Sequence, residues 1–137
     1  MNSSASFGVG ARRLTLFVSG MNKSELEKLL ISIFPSFQQH WDKEDINKEE
    51  DGSFTPHGIM SSFFFYYKEN YKNFSADELR KFGNEIEDIV APDPNDKSDV
   101  ANAICTSFLE LIAGEEDGIV IEPYLGKTCK EFYSQWL

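Results

Sequence analysis

Cysteine is nearly missing from this chain, and the two residues present, Cys105 and Cys129, fall within apolar helical patterns. Neither belongs to a CxxC, and His40 and His57 make no HxxxH, so the spacings that hold zinc are lacking. Both cysteines are expected to be reduced, small core residues. No apolar run approaches the ~18 residues of a membrane-spanning helix. Signatures of catalysis are absent as well: there is no GxSxG, no P-loop and no GxGxxG in a nucleotide-binding setting. Carboxylates abound, but general acid–base work needs a buried, shifted pair, and most acids here sit in polar connections. The expectation is therefore no enzyme, no cofactor and no metal.

Positive charge is also short. The net charge is −10, which disfavours nucleic acid and anionic membrane surfaces as partners, since both require positive potential. A basic protein is the natural counterpart of such a surface. What the chain does have is apolar and aromatic mass, 41% hydrophobic with 12 Phe in 137 residues. That is enough for one folded domain without disulfides or metal.

Residues 1–20 stand apart. They contain no Asp or Glu and carry Arg12 and Arg13, so omitting them takes the net charge from −10 to −12. Leu14–Val18 is too short for a signal-peptide core. Two readings fit this head: a functional chain beginning at Met21, or a short strand through Leu14–Val18. Residues 21–137 form the expected helical domain.

Within that domain Phe54–Tyr71 is the organising stretch. Ile59, Met60, Phe63, Phe64, Tyr67 and Tyr71 recur at the spacing of one helix face, behind Thr55 as cap and Pro56 in the first turn. Phe65 and Tyr66 fall off that stripe. Before it, Asn22 and Glu25 form a capping box for a helix through Leu26–Phe34, kinked or ended by Pro35, with Phe37 and Trp41 marking another turn or two. After it, Ser75 and Glu78 form a second capping box, and Leu79–Val90 runs to Pro92. Asp96 or Ser98 caps a fourth helix through Val100–Ile112, stopped near Gly114. Gly118–Ile121 reads as extended. A last helix presents Leu125, Cys129, Phe132, Tyr133 and Trp136. The fold class expected is all-α: a single-domain bundle of about five helices, with room for one short strand pair.

One loop imitates a metal site. Asn47–Phe54 aligns with an EF-hand, with oxygen ligands at alternate positions and Gly52 at the sixth. The closing carboxylate position falls on Gly58, and Pro56 interrupts the loop. A solvated acidic loop explains the stretch better.

The charge distribution carries the functional expectation. Asp42, Glu44, Asp45, Glu49, Glu50 and Asp51 crowd one connection, and Glu115, Glu116 and Asp117 another. If both lie on one side of the bundle, they make a negative surface able to imitate nucleic-acid phosphate before a basic nuclease. These nine acids are the expected partner-binding residues.

The stretches HGIMSSFFFYY and PYLGKTCKEFYSQW, with the size, acidity and helical pattern of residues 21–137, resemble the immunity proteins of contact-dependent and polymorphic bacterial toxin systems. That resemblance implies a cytoplasmic inhibitor that binds one cognate toxin domain stoichiometrically, without turnover. It brings no shared site residues. A second function class is a small-molecule-binding or regulatory helical module, its pocket lined by the aromatic face near Phe64 and Tyr67. Oligomeric state is not legible in the sequence.

Overall fold

The computed structural model describes residues 21–95 and 97–137. The expected strand at Leu14–Val18, the start at Met21 as against residues 1–20, and Asp96 as a cap all involve residues outside that range. Among the described residues the chain forms seven helices and no strand. They are α1 (Lys23–Ile33), α2 (Phe37–Asp42), α3 (Pro56–Asn70), α4 (Ala76–Val90), α5, α6 (Glu116–Ile121) and α7 (Lys127–Ser134). Helix α5 is composite: Asp99–Ile104 is α-helical, Cys105–Leu109 widens into a π-turn, and Glu110–Ile112 completes it. All-α therefore holds. Five helices and a strand pair do not.

The strand expectation fails for a local reason. Among the described residues Gly118–Ile121 has no neighbouring strand to satisfy its backbone, so its N–H groups bond backwards. Gly118 and Ile119 both donate to the Glu115 carbonyl, at 3.0 and 3.1 Å, and a helical turn results. Gly118 is also required by close approach, because a Cβ there would collide with the Ile112 carbonyl.

Helix starts follow the sequence closely. Asn22 Oδ1 accepts from the Glu25 N–H at 2.8 Å while Glu25 Oε1 accepts from the Asn22 N–H at 2.9 Å. Ser75 and Glu78 repeat the arrangement. Thr55 Oγ1 accepts from the Gly58 N–H at 2.9 Å ahead of α3, and Ser98 caps α5. Helix α7 differs. Its N-cap is Gly126, which has no side chain to offer, and Glu87 of α4 supplies the cap from 41 residues away. Its two oxygens accept from the Thr128 and Cys129 N–H groups at 3.0 and 2.9 Å. Burial works against that carboxylate, but the two N–H donors outweigh it and hold its pKa below the usual value.

Helix α3 is the core's axis. Ile59, Met60, Ser62, Phe63, Tyr66 and Tyr67 are buried on it. Phe63 is fully buried, with ring centroids of Phe34, Phe37, Phe82 and Phe108 between 5.2 and 5.5 Å away. The buried face is thus turned from the one the periodicity marks. Tyr66 lies inside, hydrogen-bonded to Ser36 through its hydroxyl, while Phe64 is only half-buried and Phe65 is exposed. Phe37 and His40 of α2, with Phe34 and Phe74, pack their rings on Tyr66, so the burial stripe broadens toward it. Tyr67 is enclosed by the rings of Phe63, Phe74 and Phe108. Trp136, expected to dock, is 49% exposed beyond the end of α7.

Cys105 and Cys129 are free and buried. Burial raises the Cys105 thiol to about 11 and pushes Cys129 higher still, so neither is a ready nucleophile. No helix among the described residues is long and apolar enough to cross a membrane.

Candidate functional site

The two acidic segments lie at opposite ends of α3. The connection 43–55 runs into its first turn, whereas Tyr67 and Tyr71, at its last turn, bond to Asp117 and Glu116. A helix of 15 residues separates the ends by ~22 Å. The nine acids do not form one continuous patch.

The first segment is a loop that holds its own shape. Glu44 Oε2 accepts from the Ile46 and Asn47 N–H groups at 3.0 and 2.9 Å. Asp51 Oδ1 accepts from the Ser53 N–H at 2.9 Å. The Glu49 N–H donates to the Ser53 carbonyl, and the Gly52 N–H to the Glu49 carbonyl. Outside contacts pin both flanks: Lys48 Nζ sits 4.4 Å from the Trp41 ring centroid, and Lys23 Nζ donates to the Phe54 carbonyl at 2.8 Å. For Glu44, burial raises the pKa, but the Ser62 hydroxyl and the loop N–H groups outweigh it and leave the value lowered. The Ser53 N–H lowers that of Asp51.

This bracing divides the six acids. Glu44 and Asp51 bind loop backbone, and Asp42 accepts from Gln38 Nε2 at 2.9 Å. Asp45, Glu49 and Glu50 are exposed and left pointing outward. Among them stands Ile46, 88% exposed, the most exposed large apolar residue described. No helical stripe, cap or motif marks Ile46 in the sequence. Its signal was available: a lone branched apolar residue inside a run of acids.

Beside the loop is a cleft of about 440 Å³. Ile46, Asn47 and Glu49 line one side, and His57, Gly58 and Ser61 of α3 the other. Gly58 permits this approach, since a Cβ there would come within 2.7 Å of the Asn47 carbonyl. His57 is fixed through Nδ1, 2.9 Å from Ser107 Oγ on the π-turn of α5. The cleft lies at the opposite end of α3 from Tyr67, where an aromatic-lined pocket was expected.

The second segment is occupied differently. Glu116 Oε1 accepts the Tyr71 hydroxyl at 2.7 Å, and that hydrogen bond, with lesser help from desolvation and nearby charge, pushes the Tyr71 phenol up to about 12. Asp117 is buried, with Lys68 Nζ 3.6 Å from its carboxylate and, among the described residues, no hydrogen-bond donor on either oxygen. Its backbone carbonyl accepts the Tyr67 hydroxyl at 2.7 Å. Burial, then the charge of Asp117, raises the Tyr67 phenol far above its ordinary value. Asp117 is therefore not a surface contact, which corrects the expectation placed on it. Only Glu115 of this trio is exposed without such an attachment. Among the described residues no group of three or more His, Cys, Asp or Glu is arranged to hold a metal ion.

These features define an all-α domain built on one aromatic helix, with a self-braced acidic loop at one end. The chain belongs to the family described as Domain of unknown function (DUF7674), whose model matches residues 27–137. That span takes in most of α1 and all of α2 to α7. Neither curated proteins nor solved structures give a match.

Proposed function

We infer that this protein is a protein-binding inhibitor, an immunity protein that neutralises a basic toxin domain, a nuclease being the class that suits its charge. It acts by stoichiometric binding through loop 42–51, without turnover. The observation that carries the reading is the division of labour in that loop. Two acids lock the backbone, so Asp45, Glu49, Glu50 and Ile46 are presented in a fixed arrangement. Preorganisation lowers the entropy lost on binding, and a long connection without regular structure is more often functional than incidental. An exposed apolar residue ringed by unpaired carboxylates supplies a contact point with electrostatic steering around it. Action in the cytoplasm fits the two free thiols.

The test is co-expression with the toxin encoded beside this gene. The wild-type chain restores growth, and the combined change Asp45→Lys, Glu49→Lys and Glu50→Lys abolishes the rescue. Glu115→Lys at the far end leaves it intact. Absence of an adjacent toxin gene, or full rescue by the triple reversal, overturns the reading.

A further inference from the structure

The cleft beside the loop has the chemistry of a socket for one side chain. Its lining combines the apolar residues Ile46 and Phe54 with Glu49, whose carboxylate has no hydrogen bond or ion pair among the described residues. At its edge the Asn47 carbonyl lies against Gly58 of α3 and, among the described residues, accepts no backbone hydrogen bond.

An anion is a poor occupant. Of the cationic lining groups, Lys23 Nζ is already committed to the Phe54 carbonyl at 2.8 Å. The imidazole of the lining, His57, has its Nδ1 engaged with Ser107 Oγ at 2.9 Å. Glu49 is the one acid of the lining, and the loop that carries it, residues 42–51, holds six acids against Lys43 and Lys48. The excess of carboxylates on this loop attracts a cation. Guanidinium fits better than ammonium, being weakly hydrated, planar and able to lie against apolar surface while donating at its edge.

We propose that the cleft receives an arginine side chain of the basic partner, its stem against Ile46 and Phe54 and its guanidinium donating to the Glu49 carboxylate and the Asn47 carbonyl. This rests on the binding reading above and names the chemistry of the contact at its centre. The self-braced loop is then one wall of a pocket, and the buried side chain anchors a contact that the outer acids only steer.

The test uses the full 137-residue chain, labelled with ¹⁵N and titrated with Nα-acetyl-L-arginine amide, with the lysine and citrulline amides as controls. Saturable shifts of the Asn47, Ser53, Gly58 and Ser61 amides with the arginine compound, and weaker ones with both controls, are expected. Glu49→Gln should weaken binding up to about five-fold, the range of an exposed charge pair. Ser61→Phe, which fills the cleft from the α3 side, should abolish it. Thermal unfolding reports whether Ser61→Phe is folded, and Glu49→Gln decides the matter if it is not. No saturable shift, or an equal response to the citrulline or lysine compound, overturns the proposal. The two readings separate cleanly. If a neutralised toxin binds Ser61→Phe as tightly as wild type, the socket is wrong while the inhibitor stands. If the arginine compound binds but no partner is neutralised, the inhibitor is wrong while the socket stands.

Discussion

Segments 42–51 and 115–117 cap opposite ends of α3 and are alike in composition, each dense in carboxylates and close to a rigid element. They differ in where those carboxylates point. In the first, Glu44 and Asp51 turn back onto loop N–H groups, which leaves Asp45, Glu49 and Glu50 outside. In the second, Tyr67 and Tyr71 reach across from α3 and take hold of Asp117 and Glu116, and Asp117 is drawn into the interior beside Lys68. One segment is a presented surface and the other is a seam. An acid's chemistry in a folded protein is set by the donors that surround it, and proximity to other acids says little about it.

The largest effect that would break this contrast is loss of the shared axis. Phe63→Ala should destabilise the domain by ~3–5 kcal/mol in denaturant unfolding, since the ring is fully buried among four others. A near-neutral result would mean that the two ends do not depend on one core. Next is the seam itself. Tyr67→Phe leaves the buried Asp117 carbonyl without its donor and should cost about 1–3 kcal/mol by the same measurement. No loss would show that the segment is held by other contacts.

Smaller is a pH effect confined to the loop. Glu44 has a folded pKa below its ordinary 4.5. Its contribution is therefore fully present above that value and disappears as pH falls through the folded pKa. Thermal unfolding of Glu44→Gln between about pH 3 and pH 6 should show a shallower acid loss than wild type, by a fraction of a kcal/mol because the group is partly exposed. Identical profiles would remove Glu44 as the loop's brace. Smallest is the presented surface. Glu50→Gln should change stability by less than about 0.5 kcal/mol, while slowing association with a basic partner and weakening its salt dependence. A clear loss of stability there would make Glu50 a structural residue, and the contrast between the two segments would dissolve.

Much of the helical frame was legible because its causes are local. The Asn22–Glu25 and Ser75–Glu78 boxes, Thr55 with Pro56, and the stop before Pro35 act within four residues of the chain, and each appears where the sequence puts it. Tertiary partners decided the rest. The stripe on α3 marked Phe64 for burial, yet Tyr66 is the one buried, under the rings of Phe34, Phe37, His40 and Phe74. Gly118–Ile121 reads as a strand and folds as a helix for want of a partner edge. Helix α7 begins at a residue unable to cap it, and its start was invisible in the sequence because the cap comes from Glu87 on another helix.

The same division runs through the site. An acidic, helical domain centred on one aromatic helix follows from charge, composition and helical periodicity, which are properties of the chain alone. The order of residues also places the acids of loop 42–51 beside the start of that helix. Packing settles which acids stay exposed, draws Asp117 into the interior, and brings Ile46, Asn47 and His57 to the lining of one cleft. The physical reason is one of range. Caps and periodic faces arise from neighbours a turn away, whereas the availability of a carboxylate depends on donors such as Tyr67 and Tyr71, brought from 45 to 50 residues away.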